Sequence, residues 1–354
     1  MSSPARRNES EKAHIIILAI ALVAVLIGMS FLSPHFLSVR NLLNASRFMA
    51  EIGLLSLGMA VVVISGGIDL SVGSVMALCA VAMGLLVSAG MPVLPAAALV
   101  LLLGVAAGAL NGVVVTRLGL PAIIATLATL AVYRGIALGI SGGEAFPVGE
   151  DFAWLGQGMV MGVPVQLVVL VAAAIAVGVV LRHTIFGRTI YSVGANEIAA
   201  RFSGLKVQRA KLSAYALSGL FAAAAALIFV SRVSSAKANA GTGYELDAIT
   251  IVVLAGIPIT GGRGSIVAVM LALVTIGLVR NGMTLAFIQT DIQAVLIGAL
   301  LILAVIMNRL LELLPATSKL PDAVQTASAS TAPGGEASAH GSAMPAGSGR
   351  SPTQ

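Results

Sequence analysis

The sequence predicts an all-α fold: a polytopic helical membrane protein with about ten transmembrane helices and both termini in the cytoplasm. Three observations carry that expectation. Of the 354 residues, 58% are hydrophobic and 10% are charged, whereas a soluble domain carries about 25% charged residues. Several runs of 18 or more residues hold few or no charges, which is about the length that crosses a bilayer core. The net charge of +6 comes mainly from loops and tails, as expected where cytoplasmic loops collect Lys and Arg, so it does not imply nucleic-acid binding. Cys79 is the only cysteine and lies inside an apolar run, which excludes an intramolecular disulfide and a cysteine metal cluster.

Residues 1–13 form a polar N-terminal tail whose Arg6, Arg7 and Lys12 place it in the cytoplasm. The first span, 14–32, lacks a small-residue cleavage site and is expected to stay as an anchor. The segment PHFLSVRNLLNASRF that follows alternates Phe36, Leu37, Leu42 and Leu43 with Arg40 and Arg47, and is expected to lie along the interface. Spans at 48–65 and 70–90 then flank ISGGIDLSVGS, Ile64 to Ser74. Gly66 and Gly67 let the backbone turn sharply. Asp69 can cap the following helix by accepting from the amide of Ser71 or Val72. An ionisable residue at a membrane boundary is a functional candidate; the plainer reading is a broken helix with a capped restart.

The fourth span, 93–115, sets Gly104, Gly108 and Gly112 along one face, which favours close helix packing. Asn111 can hydrogen-bond across the bundle. The fifth span, 121–140, contains Arg134, which needs a partner, water or a snorkelling route. SGGEAFPVGEDFAWLGQGMVMGVP has Glu144, Glu150 and Asp151 and no basic residue, and so is an outer loop. A sixth span follows at 165–181.

Residues 182–211 hold six basic residues, Arg182, Arg188, Arg201, Lys206, Arg209 and Lys211, against Glu197 alone. This is the strongest cytoplasmic loop. It contains a short helix with legible ends: Asn196 as N-cap, Glu197 in the first turn, Gly204 as terminator. Ile198 and Phe202 share one face of it. That stripe either docks a partner or lies on its own bundle.

The seventh span, 212–230, leads into SRVSSAKANAGTGYELDA, expected as a second outer polar loop. An eighth segment, 248–259, is long enough to span only if broken or re-entrant. It ends at ITGG, which resembles the ISGG at Ile64, a weak internal repeat of the kind that places paired breaks around a pathway; chance similarity of apolar sequence is the competing account. Spans at 267–285 and 292–314 complete a transmembrane domain over 14–314. Residues 320–354, rich in Ala, Ser, Gly, Pro and Thr, are expected to be a disordered tail.

GLLSLGMAVVVISGGIDLSVGSVMAL resembles the permease subunits of bacterial ribose-type sugar ABC importers, and the resemblance continues to about Leu313. It implies that Gly66, Gly67, Asp69, Ser71 and Gly73 form a translocation motif. GRTIYSVGANEIAARFSGLKV is similar to the family's cytoplasmic coupling segment, which docks in a groove of the ATPase subunit. Asn196, Glu197, Ala200, Arg201 and Gly204 match that pattern; Glu197 and Arg201 would make polar contacts, with Ile198 and Phe202 as apolar anchors. The partners implied are an ABC ATPase subunit, a periplasmic or lipid-anchored sugar-binding protein, a second permease copy or paralogue, and a monosaccharide. Pro258 stands where the family usually carries a small polar residue, so the resemblance does not extend to substrate preference.

The sequence contains no GxxxxGK[ST] phosphate loop and no HExxH, so it is expected to have no cofactor or metal of its own and to leave ATP to a partner subunit. The resulting expectation is a non-enzymatic permease subunit in the bacterial inner membrane. An ion-coupled secondary transporter is the principal alternative, with Glu51 and Asp69 its only obvious coupling carboxylates. A non-transporting receptor or scaffold is another.

Overall fold

The computed structural model describes residues 4–149 and 152–313, without the side chains of residues 4–13, 301, 304, 305 and 307–313. Glu150, Asp151 and the expected C-terminal tail lie outside the described residues. The chain is helical almost throughout. In order it forms α1 (Pro4–Leu32), α2 (Val39–Ile64), α3 (Val72–Ser88), α4 (Val93–Arg117) and α5 (Ala122–Ser141). The excursion after α5 carries β1 (Phe146–Pro147), α6 (Ala153–Gln157), β2 (Met159–Val160) and β3 (Val163–Pro164). Then come α7 (Val165–His183), α8 (Ile185–Ala195), α9 (Glu197–Phe202) and α10 (Val207–Val233). The chain continues through β4 (Ser235–Ala236), α11 (Tyr244–Leu254), α12 (Ile266–Leu285) and α13 (Thr290–Leu313). The strands are two-residue antiparallel pairs, β1 with β4 and β2 with β3.

Among the described residues, seven helices are long and apolar enough to cross a membrane: α2, α4, α5, α7, α10, α12 and the 14–32 part of α1. The apolar helix α3 and the 290–300 part of α13 are shorter. The fold is therefore that of a polytopic helical membrane protein.

α2 and α10 are the centre of the bundle. Both are buried along most of their length, while α1 is buried almost nowhere and packs mainly against α12. The centre is tight because glycines face α10 from two sides. A Cβ on Gly112 of α4 would stand 2.9 Å from Leu212 Cα, and one on Gly58 of α2 would stand 2.9 Å from Ser218 Cα. Gly104 and Gly108 meet α10 on the same α4 face, opposite Gly219 and Tyr215. Backbones that approach this closely gain van der Waals contact that lipid cannot replace.

Two expectations are corrected here. The segment expected along the interface is instead the first three turns of α2, which begins at Val39 behind an Ser38 N-cap. Asn41 exchanges side-chain hydrogen bonds with Asn281 of α12 at 2.7 and 3.1 Å, which holds that start against the bundle. The segment expected as a second outer loop is not an outer loop. β4 leaves the outer end of α10, and the chain then descends beside α3: Ala236 abuts Gly84, and Gly241 abuts Gly73 and Met76. Gly73 to Gly84 is about 16 Å of helix, so the segment runs along about that length of α3. α11 carries the chain onward, and His14 Nε2 of α1 meets Leu254 O at 3.2 Å. Residues 235–254 are thus a re-entrant segment, a two-residue strand and successive turns, followed by a half-length helix.

Candidate functional site

Charges that looked misplaced in the sequence find partners across this re-entrant architecture. Arg134 Nη1 donates to the carbonyls of Ala238 and Ala240, both at 2.8 Å, and so holds the descending segment against α5. Arg232 grips Glu51 through Nε at 2.7 Å and Nη2 at 3.2 Å. Its guanidinium also lies over Phe48, 4.4 Å from the ring centroid. Arg280 donates to Asp247. Each pair ties α11, or an element beside it, to a neighbouring helix.

The ISGGIDLSVGS stretch breaks the bundle between α2 and α3. α2 ends in a Schellman motif: Gly66, at φ +81°, donates to Val63 O, and Gly67 donates to Val62 O. A Cβ on Gly67 would stand 2.6 Å from Tyr215 Oη, so the turn can close only on a residue without one. Asp69 is buried in the interior, not placed at a boundary as expected; Ser218, its α10 partner, is eleven residues into that helix, about 16 Å from its start. Asp69 Oδ1 accepts from Ser71 N at 3.1 Å and Ser71 Oγ at 2.6 Å, while Oδ2 accepts from Ser218 Oγ at 2.9 Å. Asn111 Nδ2 donates to Ser71 Oγ at 2.7 Å, and Tyr133 Oη to Asn111 Oδ1 at 3.2 Å. The carboxylate thus anchors a buried polar knot that joins the α2–α3 link to α4, α5 and α10, and its oxygens are spent on the chain itself. Ser71, not Asp69, is the N-cap residue of α3. Gly73 lies at the contact with the re-entrant segment.

The second group, at the opposite edge of the break, is α9. Asn196 caps it by accepting from Ala199 N at 2.9 Å. Its end is a second Schellman motif, in which Gly204, at φ +79°, donates to Arg201 O and Leu205 donates to Ala200 O. Ala200 is the face turned inward and is buried. Ile198 is 70% exposed and Phe202 is 89% exposed, so the apolar stripe does not lie on its own bundle. Glu197 is spoken for: it takes Lys211 Nζ at 2.6 Å and Arg201 at 3.3 Å. The hydrogen bond from Lys211 holds its carboxyl below the usual carboxylate range. This clamp binds α9 to the start of α10, leaving Arg201 exposed beside Ile198 and Phe202.

The two groups meet through α8. Gly262 N donates to Ile64 O at 2.9 Å, which brings the ITGG turn into contact with the ISGG turn. Gly194, in the last turn of α8, packs on Ile64 O, and a Cβ on Gly262 would stand 2.6 Å from Ala195 Cα. Sequence reasoning found both turns but not their contact; only their similarity hinted at it. It also missed the re-entrant segment, whose signal was present in the alternation of Ala236, Ala238 and Ala240 with polar residues.

Comparison with known proteins agrees with this architecture. Residues 41–305 match the family model described as "Branched-chain amino acid transport system / permease component". The chain is 37% identical over 294 residues to the ribose import permease protein RbsC of Escherichia coli (strain K12), covering 82% of this chain and 92% of that protein. It is 40% identical over 298 residues to the RbsC of Bacillus subtilis (strain 168), covering 82% and 91%. It is 34% identical over 299 residues to the autoinducer 2 import system permease protein LsrD of Escherichia coli O9:H4 (strain HS), covering 82% and 90%. No solved structure matches.

Proposed function

The chain belongs to the permease-component family that its residues 41–305 match, and from that premise we propose that it is the membrane subunit of a bacterial ABC importer for a monosaccharide. It resides in the inner membrane as a multi-pass protein. The observation that carries the docking role is α9: a six-residue helix capped at both ends, clamped to α10, with Ile198, Arg201 and Phe202 turned outward. Apolar side chains this exposed on a rigid cytosolic helix suit a groove on another protein. The partner is an ABC ATPase subunit, which supplies the nucleotide chemistry. A periplasmic or lipid-anchored binding protein delivers the sugar, and a second permease copy or paralogue completes the pathway.

The topology that fits has ten membrane passes and both ends in the cytoplasm, with α3 and α11 as the shorter passes. ATP-driven closure of the ATPase dimer would move α8 and α9, and the contact of Gly194 with Ile64 would pass that movement to the broken helices. The sugar is ribose or a related monosaccharide. An ion-coupled carrier would need a carboxylate free to bind its ion, and Glu51 and Asp69 are both occupied by partners within the chain.

The test is Phe202→Asp combined with Arg201→Glu in the assembled transporter. The expected result is loss of co-purifying ATPase and of ATP-dependent sugar uptake, with the permease's own melting temperature unchanged because both side chains face solvent. Full uptake by the purified permease without any ATPase would overturn the assignment.

A further inference from the structure

The re-entrant segment presents two unlike faces. Ala236, Ala238 and Ala240 are buried, and Arg134 takes the carbonyls of the latter two. Lys237 and Asn239 alternate with them, Thr242 follows buried Gly241, and all three are exposed. The backbone reaches this arrangement through successive turns, in which Ala240 N donates to Lys237 O and Thr242 N donates to Asn239 O. The segment starts at the outer ends of α5 and α10, where β4 pairs with β1, and reaches the first turn of α3 at Gly73. α3 runs fifteen residues beyond Gly73, to Ser88, so Thr242 lies about 20 Å below its outer end, near the middle of a hydrocarbon core about 30 Å thick.

Non-helical backbone at that depth is tolerated only where protein covers it or where it lines a water-filled cavity. One face is covered by protein. The other carries, in descending order, the Lys237 ammonium and the Asn239 amide, which lipid would leave unsatisfied at a cost of several kcal/mol per group, and then the Thr242 hydroxyl, which donates to Asn239 O.

We infer that Lys237, Asn239 and Thr242 line the aqueous translocation path, as a ladder of hydrogen-bonding groups for a small neutral polyhydroxylated solute descending from the outer mouth to the membrane centre. This rests on the permease assignment above. The chemistry of the face favours such a solute over a cation, because no carboxylate shares it: Glu245 is turned toward Gly73, and Asp247 is held by Arg280. Asn239 offers both donors and an acceptor, and the Thr242 hydroxyl, which donates to Asn239 O at 2.8 Å, keeps its acceptor capacity, matching the dual character of sugar hydroxyls.

The experiment uses the complete complex, permease with its ATPase, in proteoliposomes. Cys79 is buried and serves as a silent background. Lys237→Cys, Asn239→Cys and Thr242→Cys are compared with Leu102→Cys and Ile175→Cys, which replace exposed apolar residues on the outer surfaces of α4 and α7. The probe is a membrane-impermeant, positively charged methanethiosulfonate. Thiols in water ionise and react, whereas those in lipid do not; positions 239 and 242 are expected to react at least roughly tenfold faster than 102 and 175. Reaction at 102 and 175 rates would overturn the inference, because it would mean that lipid or a second protein surface covers the ladder. Three positions are tested so that one poorly folding variant does not decide the outcome. ATP-dependent uptake of D-ribose by the unmodified complex is measured in parallel. Uptake with unreactive ladder positions sinks this inference alone, whereas reactive positions with no ATP-dependent uptake of any monosaccharide sink the importer assignment and leave the aqueous lining in place.

Discussion

Breaking the Glu51–Arg232 pair should destabilise the bundle, and the two halves of the pair should not be equivalent. Glu51 is fully buried and Arg232 is 17% exposed, with two hydrogen bonds between them. Removing one partner of a buried pair costs about 3–5 kcal/mol, because an uncompensated charge remains. Glu51→Leu strands a guanidinium that cannot lose its proton. Part of that cost is offset by the rings of Phe48 and Phe229, at 4.4 and 5.6 Å, worth about 0.5–2 kcal/mol together with residual hydration. The net expectation is about 2–3 kcal/mol, or a melting temperature lower by about 3–4 °C for a chain of this size. Arg232→Met should cost less, because the stranded carboxyl can neutralise itself by taking up a proton. The double variant Glu51→Leu/Arg232→Met should recover most of the loss, giving an interaction energy of about 2 kcal/mol in a double-mutant cycle. Cys79 supplies the assay: it is the sole cysteine and is buried, so a thiol-reactive dye reports unfolding in detergent without labelling the native state. Equal melting temperatures for wild type and Glu51→Leu, or additive losses in the double variant, would refute the view that this pair holds α10 to α2.

Two further outcomes follow from the cytosolic side. Gly262 has φ +79° and no room for a Cβ beside Ala195, so Gly262→Val should displace the ITGG turn from Ile64 and lower ATP-driven uptake about tenfold or more, equivalent to at least ~1.4 kcal/mol; ATP hydrolysis should persist, and unchanged uptake would show that the turn-to-turn contact transmits nothing. The carboxyl of Glu197 is held low chiefly by the Lys211 hydrogen bond, so its contribution to seating α9 is present above the ordinary carboxylate pKa and is lost as pH falls through the depressed one. Hydrogen exchange of the α9 amides should therefore rise below about pH 4 in wild type, and Glu197→Gln should exchange faster at neutral pH and show no such step; the effect is modest because Glu197 is 41% exposed.

Local features of this fold were legible because they depend on near neighbours. Asn196 and Gly204 bound α9 through hydrogen bonds that span three to five residues, and the glycines of α4 lie on one face by helical periodicity alone. What could not be read were pairings over long sequence separations. Arg40 and Arg47 made the start of α2 look like a surface segment, since nothing in that stretch announces that Asn281 waits across the bundle for Asn41. Tyr244, Glu245 and Asp247 made 231–248 look like a polar outer loop, although Arg232 and Lys237 ran against a rule that counts charges in loops. That rule fails where an arginine on another helix ties the segment down, as Arg134 and Arg280 do here. Asp69 was recognisable as special, but its burial came from Ser218 and Asn111, 149 and 42 residues away.

The positions of the two helix breaks explain why a small cytosolic helix could govern a path through the membrane. Ile64 O is the shared point: it accepts from Gly262 and packs against Gly194. One break leads through Asp69 into α3, and the other leads back through α11 into the re-entrant segment, so both edges of that segment's course are attached to α8. The contacts are glycine on backbone, with no side chain between to absorb a shift. Packed backbones deform little before they move as a unit, so in the mechanism we propose a displacement of α9 would be carried to both breaks at once. A flexible linker at Asn196 would lose that property, and the Lys211–Glu197 clamp, at 2.6 Å, is what prevents it.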